Sequence, residues 1–186
     1  MPEEGQVKTD ALDPQEEARR RLALAQIRQY PDPVLRLEAQ EVEVFDADLA
    51  QLVARMARLM QDAHGVGLAA NQVGVLRRVV VLLADDEEEP RVLVNPVILD
   101  RSDETEEETE GCLSLQGVVI PVERAISLRV EARDADGALV ELELEGLAAR
   151  VAQHEVDHLD GVLIVDRTTA EGRREALAVL RQAAVL

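Results

Sequence analysis

The chain has 186 residues, 47 % hydrophobic and 1 % aromatic, and a formal net charge of −18 from 38 acidic and 20 basic residues. That length suits one domain with a sizeable core, built from Val, Leu, Ile and Ala because aromatics are nearly absent. The acidic balance argues against nonspecific binding to nucleic acid or an anionic membrane, which needs clustered Lys and Arg.

The opening "MPEEGQVKTDALDPQEEARRR" is too charged for a signal peptide, and no apolar stretch approaches membrane-spanning length. Cys112 is the only cysteine, so no internal disulfide forms and a reducing, cytoplasmic setting is expected. Residues 1–22 read as an N-terminal extension, mobile or weakly helical, and residues 23–186 as a single domain. In "YPDPVLR", Pro31 and Pro33 force extended or turn geometry. Leu52, Val53, Met56, Leu59 and Met60 then recur at helical spacing, with Asp46 or Asp48 as cap and Gly65 as the expected stop.

After the glycine-rich "GVGLAANQVG" (65–74), "RRVVVLLA" and "RVLVNPVIL" read as strands, the second broken at Asn95-Pro96. The acidic runs Asp85–Glu89 and Asp103–Glu110 read as solvated loops. "EGCLSLQGVVIPV" mixes turn and strand signals, and "AISLRVEAR" and "ALVELELE" flank Asp134-Ala135-Asp136-Gly137, a hairpin signature. Gly146 opens a helix closed by Gly161, followed by a short strand "VLIVD" and a terminal helix from about Ala170. The order of elements predicts an α+β fold, with antiparallel strands packed around a central helix and a helix at the C-terminus.

That central helix carries "QHEVDHLDG" (153–161), which holds two of the three histidines of the chain. Leu147, Val151, His154 and His158 fall on one stripe, so the imidazoles continue an inward face. H-E-x-x-H on such a face points to a helical metal site, but two imidazoles do not complete one: catalytic sites usually take three protein ligands and keep one position open. Three residues could supply the third ligand. Glu175 lies on the terminal helix, His64 at the end of the long helix, and Cys112 in the turn "EGCLS". A thiolate beside two neutral imidazoles makes a tetrahedral set, which favours Cys112 and leaves the other two open.

The segments "GVGLAANQ" (65–72), "EGCLS" (110–114) and "QHEVDHLDG" (153–161), with "PDPVLR", "VNPVIL" and "EGLAARVAQHE" around them, together resemble the signature motifs of peptide deformylase. The resemblance runs from about Ala23 to Arg167. It implies a metal-dependent amide hydrolase that removes the N-formyl group from the formyl-methionine of nascent proteins and releases formate. It implies one divalent ion per chain, Fe²⁺ foremost with Zn²⁺, Ni²⁺ or Co²⁺ as replacements, held by Cys112, His154 and His158. Glu155 is implied as the acid–base group, and the Gln72 side-chain amide and the Leu113 backbone N–H as donors to the developing oxyanion. Val66 and Gly67 are implied to run beside the substrate, and Val151 to border the methionine pocket. The partners implied are N-formylmethionyl peptides. Gln153 reads either as a support for the ligands or as a residue satisfying backbone groups.

Two departures stand out. Many deformylases carry a proline and then a basic residue soon after the "EGCLS" serine, where this chain has Gln116 and Gly117 and places Arg124 late. The terminal helix offers Arg173, Arg174 and Arg181, a candidate ribosome contact that packing on its own domain explains equally well.

Overall fold

The computed structural model describes residues 13–83 and 88–183. Residues 1–12 of the expected extension and Asp85, Asp86 and Glu87 of the first acidic run lie outside them; Glu88 and Glu89 are exposed. Helix α1 (Pro14–Leu24) begins at Asp13, whose carboxylate accepts from the Gln15 N–H, with Pro14 at the first turn, where no backbone donor is needed. Ala23 is buried and Leu24 half-buried against the core that α2 (Ala47–Asp62) organises.

Asp46 is the residue that caps α2, accepting from the Leu49 N–H at 3.0 Å. Leu49, Met56, Leu59 and Met60 are its buried stripe, each side chain contributing roughly 1.5–3 kcal/mol by leaving water. The helix stops before Gly65: His64 takes the left-handed conformation, φ 58°, and the Gly65 N–H returns to the Met60 carbonyl at 2.9 Å. Gly65 serves close approach instead, because a Cβ there would lie 2.7 Å from Leu113 Cδ1.

Strands β1 (Gly67–Ala69), β2 (Val79–Leu82), β3 (Arg91–Arg101), β6 (Ser127–Arg133) and β7 (Leu139–Glu145) form one antiparallel sheet in the order β1-β2-β3-β6-β7. A separate antiparallel ribbon pairs β4 (Thr105–Gly111) with β5 (Val119–Ala125). The apolar run of β2 is divided by its own pleat: Val79 and Val81 join the α2 core, while Val80 and Leu82 join the core around α3 (Gly146–Leu159). The sheet therefore lies between the two helices, and α3 is buried on most of its circumference. The expected α+β architecture around a central helix is the observed one, as is the β6–β7 hairpin, where Gly137 (φ 89°) turns the chain and the Asp134 carboxylate accepts from Asp136 N and Ala138 N.

Three expectations need correction. Strand β3 is not broken at Asn95-Pro96 but shifts register between Val94 and Val97. Asn95 adopts φ 51° and its amide pairs with both backbone groups of Val42 at 2.8 and 2.9 Å, so the lost ladder bonds are replaced. The acidic stretch 103–110 is largely strand β4; pairing with β5 outweighs the low strand propensity of Glu, and Glu110 at its end is buried. "VLIVD" is not a strand: Leu163 precedes a single helical turn, α4 (Ile164–Arg167), where Asp166 accepts from the Leu163 N–H at 2.9 Å. A short apolar run bounded by turns fits a buried helical turn as well as a strand. Helix α5 (Ala170–Ala183) closes the described chain. Among the described residues no helix is long and apolar enough to cross a membrane.

Candidate metal centre and substrate pocket

Helix α3 carries His154 and His158 one turn apart, and the tight turn after β4 carries Cys112 toward them. Cys112 Sγ lies 3.3 Å from His158 Nε2, and the two Nε2 atoms lie 3.2 Å apart. One ligand atom from each residue falls within 4.8 Å of the others. His154 Nδ1 faces a Glu110 carboxylate oxygen at 3.0 Å, which assigns the proton to Nδ1 and leaves the Nε2 lone pair toward the cluster.

The trio fits a cation better than it fits itself. Burial, and then the neighbouring His154, drive the His158 imidazole well below its ordinary range. Burial works the same way on His154, but its bonds to Cys112 and Glu110 win and raise its affinity for a proton. A divalent ion supplies the positive charge that the extra proton otherwise brings. One sulfur and two imidazole nitrogens suit Fe²⁺, Zn²⁺, Ni²⁺ or Co²⁺.

Behind the trio lies a buried ionic network that the sequence did not reveal. Glu110 accepts from Arg124 Nε and Nη2 at 2.9 and 3.0 Å and from Arg150 Nη1 at 2.8 Å. Arg124 also donates to Asp157 at 2.6 Å, and Arg167 donates to the same carboxylate. Burial alone would push the Glu110 carboxyl up; hydrogen bonds and charge from His154 and Arg124 bring it down to about 2. Arg124 is 6 % exposed, so it is a strut of this network and does not face substrate. Asn71 donates to the His158 carbonyl and anchors the helix from the β1 side. Gln153 touches no ligand; it exchanges two bonds with Ala125 backbone and one with the Ala149 carbonyl.

Glu155 lies on the next face of α3, 3 % exposed, with its Oε2 unpaired among the described residues. Burial pushes its carboxyl up to about 7. Gly67 presses on it: a Cβ at position 67 would overlap Glu155 Oε1 and lie 2.7 Å from Val151 Cγ1. Gln72, in the turn after β1, accepts from Ala69 N at 2.8 Å, donates to Ser114 Oγ at 3.1 Å and reaches Cys112 Sγ at 3.8 Å. Leu113 follows the thiol; its carbonyl accepts from Gln29 Nε2 at 2.9 Å. These groups border a cavity of about 430 Å³, lined by Gly67, Gln72, Cys112, Val151, His154 and Glu155 among others, with Val66 45 % exposed at its rim.

The other two candidate ligands stand apart from the trio. His64 is exposed on the rim of the cavity and Glu175 is exposed on α5; neither joins the cluster. The residues that sequence reasoning missed are Glu110, Arg124, Arg150, Asp157, Asn71 and Ser114. Only Glu110 carried a signal, two positions before the thiol, and its place in an acidic run concealed it.

The sequence model described as "Polypeptide deformylase" matches residues 24–174. A peptide deformylase of Dictyoglomus thermophilum is 46 % identical over 148 residues, covering 80 % of this chain and 95 % of its own length. One from Chromobacterium violaceum is 47 % identical over 147 residues, covering 78 % and 87 %. The solved structure of a peptide deformylase from Legionella pneumophila superposes with a TM-score of 0.80 at 41 % identity, over 85 % of this chain and 94 % of that one. One from Plasmodium falciparum gives 0.80 at 35 % identity over 84 % and 93 %. The matched span contains all three segments that build the pocket, and the chain belongs to the polypeptide deformylase family.

Proposed function

We propose that this chain is a metal-dependent peptide deformylase, hydrolysing the N-formyl group from the formyl-methionine of nascent proteins and releasing formate. The observation that carries the reading is the convergence of Cys112, His154 and His158 beside the buried carboxylate of Glu155, at the wall of one cavity. Cys112, His154 and His158 hold one divalent ion, Fe²⁺ foremost. Such an ion, when bound, supplies the Lewis acidity that makes water a nucleophile near neutral pH.

The rest of the chemistry belongs to the chain. Strand β1 is an edge of the sheet, so an extended peptide can add to it through main-chain hydrogen bonds along Val66 and Gly67. The methionine side chain enters the apolar part of the cavity beside Val151. Glu155 takes the proton of the attacking water and delivers it to the leaving amine, a role typically worth about 10²–10⁴ in rate. The Gln72 amide and the Leu113 N–H donate to the oxygen of the formyl group as it gains charge.

Residues 23–186 act as one catalytic domain in a cytoplasmic setting, on N-formylmethionyl peptides. Arg174 and Arg181 are exposed on α5 and available for a ribosome contact.

The test is formate release from formyl-Met-Ala-Ser by protein kept reduced and loaded with Fe²⁺ without oxygen, beside Glu155→Ala. Rapid release by the native chain, with Glu155→Ala holding one ion per chain but releasing almost nothing, supports the reading. Cleavage of internal peptide bonds, or no formate with the ion bound, overturns it.

A further inference from the structure

Part of the cavity lining comes from outside the three motifs, and one such wall belongs to the first helix. Helix α1 contributes Arg20 and Leu24, one turn apart, to the same lining as His64, Gly65 and Val66. Arg20 lies outside the stretch matched by the family, residues 24–174. Leu24 packs against the α2 core and Ala23 is 2 % exposed, so the helix is anchored and Arg20 is carried to the rim by a fixed element.

The charges of the lining are distributed unequally. Glu110 and Arg150 are buried and pair with each other at 2.8 Å, and Glu155 is buried within the cavity wall. Arg20 is exposed and takes part in no ion pair among the described residues, whereas its neighbour Arg21 is engaged by Glu17 at 3.8 Å. A permanent cation therefore stands at the mouth of a cavity in a chain whose net charge is −18. Salt screens charges beyond a Debye length of about 8 Å, so at this rim Arg20 acts together with Arg19, Arg21, Glu16 and Glu17 of the same helix and not with the distant net charge.

The direction of the cavity says what meets it. Gln72, which touches Cys112, follows the C-terminal end of β1, so the reacting end of a bound peptide lies there. A peptide whose N-terminus reacts at that end runs antiparallel to β1, back past Val66 and Gly65 toward His64 and Arg20. With formyl-methionine beside Gly67, which packs on Glu155 and Val151, one residue per step back along the chain sets the second and third residues after methionine beside Gly65 and His64, which share this lining with Arg20.

Resting on the deformylase reading, we infer that Arg20 is a specificity-determining residue: it receives acidic side chains at the third and fourth positions of the formylated peptide and makes this chain favour acidic over basic sequences there. An exposed ion pair is worth about 0.2–1 kcal/mol, so the preference is modest, acts through KM and weakens with salt.

The test compares three amidated peptides, formyl-Met-Ala-Asp-Asp, formyl-Met-Ala-Asn-Asn and formyl-Met-Ala-Lys-Lys, with the metal-loaded native chain and Arg20→Glu. The native chain is expected to show kcat/KM about two- to fivefold higher for the Asp than for the Lys peptide, carried by KM and reduced at high ionic strength. Arg20→Glu is expected to reverse the order. Equal Asp-to-Lys ratios in the two proteins, or a uniform loss on all three peptides with the ratio unchanged, overturn the inference. If the native chain releases formate from none of the three, the deformylase reading itself falls and takes this inference with it.

Discussion

Glu110 Oε2 stands 3.0 Å from His154 Nδ1, while the same carboxylate receives three guanidinium N–H groups from Arg124 and Arg150. One buried acid thus orients an imidazole of the candidate metal trio and pairs with two buried cations, whose charge Asp157 and Glu108 share. Glu110→Gln is expected to weaken metal binding about 10- to 100-fold, measured by competition with a chromophoric chelator. It also removes one partner from a buried ionic network, a change that costs roughly 3–5 kcal/mol when no other group compensates. A marked fall in Tm should accompany the weaker binding; unchanged affinity would limit Glu110 to holding β4 and β5 together.

Gly67 sets the place of Glu155. In Gly67→Ala the new methyl would lie 2.7 Å from Val151 Cγ1 and overlap the Glu155 carboxylate, so the carboxylate must move. A displacement of about 1 Å at a reacting centre can lower the rate about 100-fold. The variant should bind metal normally and lose most of its turnover. Full activity would show that Glu155 tolerates a different position.

Gln72 presents its amide nitrogen to Ser114 Oγ at 3.1 Å and toward Cys112, within the cavity lining. Removal of one donor to a developing oxyanion typically costs about 10²–10³ in kcat. Gln72→Ala should show that loss with metal content preserved; a rise in KM alone would assign Gln72 to ground-state binding.

Metal analysis separates Cys112 from Glu175. Cys112→Ser should lose most of its bound ion because a hydroxyl is a poor replacement for a thiolate, whereas Glu175→Gln, exposed on α5, should retain it. The opposite pattern would point to a different ligand set.

Asp166 supplies a pH-dependent contribution to stability. Burial raises its carboxyl, but the Arg36 bond and the Leu163 N–H prevail and hold it below the ordinary value of 3.8. A folded-state value below the unfolded one means that the stabilisation is fully present above about pH 4 and fades as pH falls through the lowered folded value. Partly exposed pairs of this kind contribute at most about 1 kcal/mol. Asp166→Asn should therefore have a slightly lower Tm at pH 7, with the two proteins converging in strong acid. A gap that persists there would mean that packing, not charge, is responsible.

Much of this molecule was legible before folding. The stripe Leu147, Val151, His154, His158 declares both the helix and the inward direction of its imidazoles, because side chains at helical spacing share a face whatever the rest of the chain does. The Asp134–Gly137 turn declared its hairpin for a similarly local reason: Gly137 has the positive φ the turn requires. Errors fell where a partner distant in sequence decides the outcome. Thr105–Gly111 is a strand because β5 pairs with it, and Leu163–Val165 coils because it fills a core shared with Leu35, Leu115 and Ile120.

The sequence by itself determined the chemistry available: two imidazoles one turn apart, one thiol, and a carboxylate next to a candidate ligand. Residue chemistry favoured Cys112 as the third group only modestly and left His64 and Glu175 open; the tertiary structure decided between them, because folding brings the thiol into contact with His158 and leaves the other two side chains exposed. It also converted Glu110 from one acid among many into the orienting partner of His154, since a charge acquires that role only when burial removes water and brings Arg124 and Arg150 to face it.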